Sequence, residues 1–206
     1  MNRRTEIKQH LLPYFLERLR QTGILRPSDP DKLVDSLRVH YFAPGQRIEQ
    51  PTPCLFFLVH GLLKEYYRSK WRIHASSFVQ LLAPDDLWIY DQHAYDFRTR
   101  ALLPCWLLEL PLYQLHYITH CPGTLKLWLE QLDMCYRSNH CLSSFLQEQS
   151  DKNERIQIFL EEYGPYVDYL SNHEIAHYAG LDHRQVEALR NRGVLYQPFN
   201  DGNILF

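Results

Sequence analysis

The chain has 206 residues, of which 45% are hydrophobic, 22% charged and 14% aromatic, a composition that supports a packed core and excludes a disordered polymer. Its formal net charge of -2 excludes a global basic field, so any nucleic-acid contact requires a local patch. Five cysteines, odd in number and irregularly spaced, exclude a disulfide framework, and the absence of an apolar signal core or a membrane-length apolar run predicts a reducing, cytoplasmic location.

Residues 2–21 carry Ile7, Leu11, Leu12, Phe15, Leu16 and Leu19 near a 3.6-residue period and predict an amphipathic helix, with Pro13 as a point of kinking or splitting. A second, short helix is expected from Ser28 or Asp29 through Leu37, where a capping residue and a proline precede an apolar run. From residue 38 to 110 the texture becomes β-rich. Strands are predicted at Val39–Phe42, Leu55–Val59, Leu62–Tyr67, His74–Leu82 and Cys105–Leu110, separated by Pro44-Gly45, Pro51–Pro53, Gly61 and Pro84-Asp85-Asp86. This spacing predicts a small sandwich or barrel.

A helix over Leu112–His120, ended by Pro122-Gly123, precedes a longer one from Thr124 to about Gln149. On the long helix Leu125, Leu129, Leu132, Cys135 or Tyr136, Asn139, Leu142 and Leu146 recur close to every 3.5 residues. That period suits a two-stranded coiled coil, with Asn139 fixing register, and predicts a homodimer through residues 124–149. The same stripe also suits a helix packed on its own barrel. Asp151-Lys152-Asn153-Glu154 reads as a polar hinge, residues 154–163 and 171–192 as helices, and VLYQPFNDGNILF as two short strands around Asp201-Gly202.

The segment HEIAHYAGLDH, residues 173–183, supports two readings. As H-E-x-x-H-x-x-G-x-x-H it matches the metzincin zinc-protease pattern. His173 and His177 would project from one helical face, His183 would follow a turn at Gly180, and Glu174 would serve as general base to a metal-bound water. As a helix-turn-helix it accounts for more residues. Ser171 and Glu174 have capping-box spacing, Ile175 and Ala179 are apolar, Ala176 is small, Gly180 occupies the turn, Leu181 is expected to be buried, Asp182 caps the next helix, and Val186 and Leu189 face inward. No methionine for a metal-supporting turn follows His183, and the helix-turn-helix reading is preferred.

Four segments in order carry a family resemblance: LFFLVHGLLKEYY (55–67), FVQLLAPDDLWIY (78–90), RALLPCWLLELPLYQL (100–115) and LSNHEIAHYAGLDHRQVEALRNR (170–192). Together they resemble the cyclic-AMP receptor protein/Fnr superfamily of bacterial regulators, in its Bacteroidetes-type branch. The resemblance implies an α+β chain: an N-terminal cyclic-nucleotide-binding-like jelly-roll barrel (1–122), a dimerisation helix (123–150) and a C-terminal winged helix-turn-helix (151–206). It further implies a non-catalytic regulator in which a barrel effector shifts a dimer between DNA-binding and non-binding states.

Two departures qualify what the resemblance carries over. The stretch DDLWIYDQHAYDFRTRA lacks the Gly-Glu pair of the cyclic-AMP phosphate cassette and has Tyr95 and Asp96 where Arg-Ser would align. With no cation or glycine-rich nest for a phosphate, no cyclic-AMP binding is expected, and the cysteines offer no N-terminal cluster for iron and sulfur. No cofactor is predicted. Trp88, Tyr90, Arg98 and Arg100 are candidate contacts for an unknown small-molecule effector, though core packing for the aromatics and strand or surface roles for the arginines fit as well. At the DNA surface the family's Ser-Arg pair is replaced by Glu187-Ala188, leaving His183, Arg184, Gln185, Arg190 and Arg192 as candidate contacts to double-stranded DNA. A degenerate regulator without DNA binding is the remaining alternative.

Overall fold

The computed structural model describes residues 3–23, 27–50, 52–68, 76–90 and 97–195. They pack as two compact units. One holds the described residues up to Ser138 apart from Ser77–Val79; the other holds that short stretch and the described residues from Asn139 onward.

In the first unit helix α1 (Arg3–Gln21) runs through Pro13 without a break, and α2 (Pro30–Ser36) starts at Asp29, whose carboxylate accepts from the Lys32 N–H. Eight strands follow: β1 (Arg38–Phe42), β2 (Arg47–Ile48), β3 (Cys54–His60), β4 (Leu63–Arg68), β5 (Ser76–Leu82), β6 (Leu87–Tyr90), β7 (Phe97–Ala101) and β8 (Cys105–Pro111). They form two four-stranded sheets, ordered β1-β8-β3-β6 and β2-β7-β4-β5. The pairings β1–β8, β3–β8, β3–β6, β2–β7 and β4–β7 are antiparallel. This is the expected jelly-roll layout.

The first sheet is apolar on both faces, which explains the unbroken hydrophobic run of β3. Cys54, Phe56 and Leu58 face the interior between the sheets, with Phe42, Ile48, Leu63, Leu82, Trp88, Tyr90, Ala101, Cys105 and Leu107. Leu55 and Phe57 face the other way, into a second core with Leu11, Phe15 and Leu19 of α1, Leu33, Leu108 and Leu110. Each such side chain contributes roughly 1.5–3 kcal/mol on full burial.

Strands β2, β6 and β7 lie outside the strands expected from sequence. The first has two residues and the second four, too short for a period to register. In β7, Phe-Arg-Thr-Arg-Ala, the inward position Thr99 is polar and donates to the buried Glu65 carboxylate at 3.1 Å, so the apolar alternation is missing. The segment after β8 is a 3-10 helix over Leu112–Tyr117, shorter than expected. Pro122 and Gly123 open helix α3 (Pro122–Glu148) rather than closing its predecessor, as suits proline in a first turn. The predicted terminal strands lie, from Tyr196 onward, outside the described residues.

Helix α3 carries part of the predicted seam into the chain's own core. Trp128 and Leu132 are buried in the helix-side core, with Leu125 and Leu129 packed against it, and the Trp128 indole N–H donates to Thr22 Oγ1 at 2.9 Å. Leu146, from the same predicted stripe, is fully buried. Of the described stripe residues, Leu125, Leu129, Leu132 and Leu146 are thus taken up by the chain's own packing. A different set is left in solvent: Leu127 is 63% exposed, Met134 70% and Phe145 48%. These lie 7 and 11 residues apart, which at 3.6 residues per turn is one face of the helix. The polar break after α3 is short, since Asp151 already caps helix α4 (Lys152–Tyr163) by accepting from the Asn153 N–H at 2.8 Å.

The β3–β4 turn rests on Gly61, at φ +105°, where a Cβ would stand 2.5 Å from Cys105 Sγ and 2.5 Å from the Pro104 carbonyl oxygen. Both backbone strain and overlap oppose any side chain there. Gly61→Ala is expected to destabilise the first unit by about 3 kcal/mol, measured as a midpoint shift in urea followed by tryptophan fluorescence; an unchanged midpoint would contradict the close approach.

Candidate nucleic-acid interface

The second unit is built around a small aromatic core. Phe159 and Tyr163 of α4 meet Tyr178 with ring centroids 5.5 to 5.9 Å apart and edge-on. The Tyr163 and Tyr178 hydroxyls lie 3.2 Å apart, and burial pushes the Tyr178 hydroxyl up to about 12. After a 3-10 turn over Gly164–Tyr169 come helix α5 (Asn172–Ala179) and helix α6 (His183–Asn191).

Both helices start as their sequences predict. Ser171 Oγ accepts from the Glu174 N–H while the Glu174 carboxylate accepts from the Ser171 N–H at 2.8 Å. Asp182 accepts from the Arg184 N–H at 2.8 Å and its own N–H donates to Gln185 Oε1 at 3.1 Å, a second capping box. Between them Gly180 takes the left-handed conformation, φ +62°, and the Leu181 N–H returns to the Ala176 carbonyl at 2.8 Å. Ile175, Ala176, Tyr178, Ala179 and Val186 are buried, while Leu181 and Leu189 are half-buried, less enclosed than their apolar character suggests. Two short helices joined by a glycine turn and seated on one core make a helix-turn-helix.

The five candidate contacts divide. His183, Arg184 and Gln185 form the first turn of α6, with Arg184 exposed and His183 and Gln185 half-buried. Arg192 is exposed at the helix's other end. Arg190 is turned into its own unit: its guanidinium donates to the Val167 carbonyl at 3.0 Å and to the Leu170 carbonyl, and lies 3.6 Å from the Asp168 carboxylate. Sequence reasoning sees the charge of Arg190; its carbonyl partners twenty-odd residues upstream leave no local signal.

The three-histidine reading does not assemble. His173 and His183 face one another with ring centroids 4.4 Å apart, but the exposed His177 does not join them into a ligand set. Among the described residues no three His, Cys, Asp or Glu side chains are placed to share an ion. Glu174, the supposed base, has its carboxylate committed to the helix cap. This geometry gives the peptidase alternative no support.

The four candidate effector residues also divide. Trp88 and Tyr90 are 1% and 7% exposed and lie in the barrel interior, tilted and edge-on respectively against Phe56. The Tyr90 hydroxyl donates to the Ile48 carbonyl at 3.0 Å. Arg98 and Arg100 alternate along β7 with the inward Thr99 and Ala101 and so take the opposite face, where Arg100 lies over the Tyr66 ring at 5.8 Å. Tyr95 and Asp96 lie outside the described residues.

The interior holds two carboxylates that the sequence did not advertise. Glu65, 2% exposed, accepts from Gln80 at 2.7 Å and from Thr99. Glu109, 1% exposed, has one oxygen 2.7 Å from His40 Nε2 and the other 3.4 Å from Arg38. The His40 contact is a close polar approach without the alignment of a hydrogen bond. Their inward placement follows from strand alternation only once the register is known.

Arg190→Ala is expected to destabilise the second unit by about 1.5–3 kcal/mol, the range for hydrogen bonds from a charged group. Urea unfolding followed by far-ultraviolet circular dichroism reads this, and an unchanged midpoint would return Arg190 to the free surface charges.

No protein-family model and no curated protein matches the sequence. Solved structures do match. FixK2 of Bradyrhizobium japonicum aligns with TM-score 0.58 and 15% identity over 77% of this chain and 86% of that one. A cyclic nucleotide-binding domain containing protein of Listeria monocytogenes aligns with TM-score 0.57 and 14% identity over 89% and 90%. A transcriptional regulator of Eubacterium rectale, assigned to the Crp/Fnr family, aligns with TM-score 0.58 and 13% identity over 83% and 84%. At such identities the likeness is one of architecture: this chain has the fold of the Crp/Fnr regulators.

Proposed function

We propose that the chain is a cytoplasmic, homodimeric, non-catalytic transcription regulator that reads double-stranded DNA with α6. The observation that carries this reading is the α5–Gly180–α6 geometry, with doubly capped helices and Arg184 exposed in the first turn of α6. The N-terminal turn of a recognition helix is the part that reaches base edges in a major groove. His183, Arg184 and Gln185 then face bases, Arg192 meets phosphate, and Arg190 holds the domain together.

The charge balance fits a reader that depends on specific contacts. Residues 151–206 carry five Lys/Arg against nine Asp/Glu, which weakens the sequence-independent phosphate attraction. Residues 183–192 nevertheless carry three arginines and one glutamate.

The dimer forms through α3 within residues 124–149, and its contact is the face of Leu127, Met134 and Phe145. Exposed large apolar side chains repeated on one face of a long helix are what a partner helix buries. The barrel acts as a sensor that has lost the cyclic-AMP cassette. A phosphate placed beside the buried Glu65 would meet carboxyl oxygens, which are acceptors like its own, rather than a cation or a nest of N–H groups. Of the four candidate effector residues, Trp88 and Tyr90 face that interior. The Trp88 indole N–H, buried and without an acceptor among the described residues, offers a donor to a small effector.

Selection from a pool of random DNA duplexes tests the reading: the protein is expected to enrich a two-part inverted sequence. Arg184→Ala should cost about 1–3 kcal/mol on the enriched site and relax one base position, whereas Arg192→Ala should weaken all sequences alike and lower the salt slope by about one. Equal enrichment of all sequences would refute the proposal. Met134→Glu, on a solvent-exposed position, is expected to leave the melting temperature near wild type while converting dimer to monomer in sedimentation; a dimer that survives Leu127→Glu with Met134→Glu places the interface elsewhere.

A further inference from the structure

The turn of the helix-turn-helix is held from outside the motif. The last carbonyls of α5 have no following helical turn to bond them, and such groups need other partners. Here two long side chains supply them. Gln147, from the last turn of α3, donates through Nε2 to the His177 carbonyl at 3.0 Å. Arg155, from the first turn of α4, donates through Nη1 to the Gly180 carbonyl at 2.7 Å and to that of Ala179 at 3.4 Å.

Gly180 makes this grip fit. A Cβ there would stand 2.9 Å from Arg155 Nη1 and 2.9 Å from Gln147 Cγ. The glycine thus serves two ends at once: it supplies the left-handed turn, and it clears the space through which both side chains reach the backbone. All these groups belong to the second unit, which takes in α3 from Asn139 onward.

The geometry points to Gln147 and Arg155 as positioning residues that fix the direction of α6 relative to the end of α3. This rests on the proposed reading of α3 as the dimer helix and α6 as the DNA reader. Neither residue lies on α6. Their contribution is to make the direction of α6 a rigid extension of α3, so that two α6 helices in a dimer keep a set separation. The separation between half-sites on DNA is then encoded partly by two side-chain-to-backbone clamps at the far side of the turn. Both bonds of the second clamp leave one guanidinium nitrogen, Nη1, whose direction is set by the planar group, where lysine offers a freely rotating point charge.

The test uses the full-length protein and a pool of random duplexes long enough for two half-sites about one helical turn apart. Wild type is expected to enrich one inverted half-site at one spacing. Gln147→Ala and Arg155→Ala are expected to enrich the same half-site with the spacing preference lost, with affinity for a duplex carrying a single half-site unchanged. Arg155→Lys, which keeps one donor, should restore the preference in part. Circular dichroism confirms folding. Should Arg155→Ala unfold, Gln147→Ala, an exposed residue giving up one hydrogen bond to the turn, carries the test. A wild-type spacing preference in the alanine variants overturns the positioning role, as does a parallel loss of affinity for the single half-site. Failure of wild type to enrich any sequence is a different result, and removes the DNA-binding reading on which the inference stands.

Discussion

The structure depends on α3 having two apolar faces with different fates. Trp128 and Leu132 are buried by α1 and the outer face of the first sheet, and Leu146 is buried further along. Leu127, Met134 and Phe145 are not covered. A helix apolar on one stripe is satisfied by one core, whereas a second stripe calls for a further partner. The same helix runs from the compact unit that holds the barrel into the one that holds the helix-turn-helix.

The double-sided burial of the first sheet explains why that arrangement is stable without a large barrel. β3 and β8 contribute alternate apolar residues to two cores, with Glu109 of β8 as a buried charged exception. The second sheet is more polar. Glu65, Gln80 and Thr99 are buried there and bonded to one another. A buried carboxyl group is tolerable only with such partners, and the network gives the interior a polar, directional cluster.

How far sequence reached depended on how local each cause was. The helix-turn-helix was legible residue by residue because its determinants are short-range: Ser171 with Glu174, Asp182 with Gln185, and Gly180 at a positive φ. The β3, β4 and β8 strands were legible from continuous apolar runs. The sequence leaves open which stripe of α3 packs on its own chain, because both stripes carry leucines and only the tertiary packing of Trp128 and Leu132 separates them. Arg190 and Arg155 both look like free surface charges in the sequence, yet their guanidiniums bond backbone carbonyls of distant segments. Glu65 and Glu109 broke the alternation expected of inward positions, and no neighbour in sequence marks their partners.

The placement of the indole side chains has a spectroscopic consequence. Trp88 lies between the sheets and Trp128 in the helix-side core, while the sequence has no tryptophan after position 128. The α4–α6 unit is instead centred on Tyr163 and Tyr178. Emission excited beyond the tyrosine band therefore originates wholly outside that unit, whereas its helices dominate the far-ultraviolet ellipticity it contributes. An unlabelled sample thus carries two optical channels, and a mismatch between their melting curves would report the two bodies loosening at different temperatures.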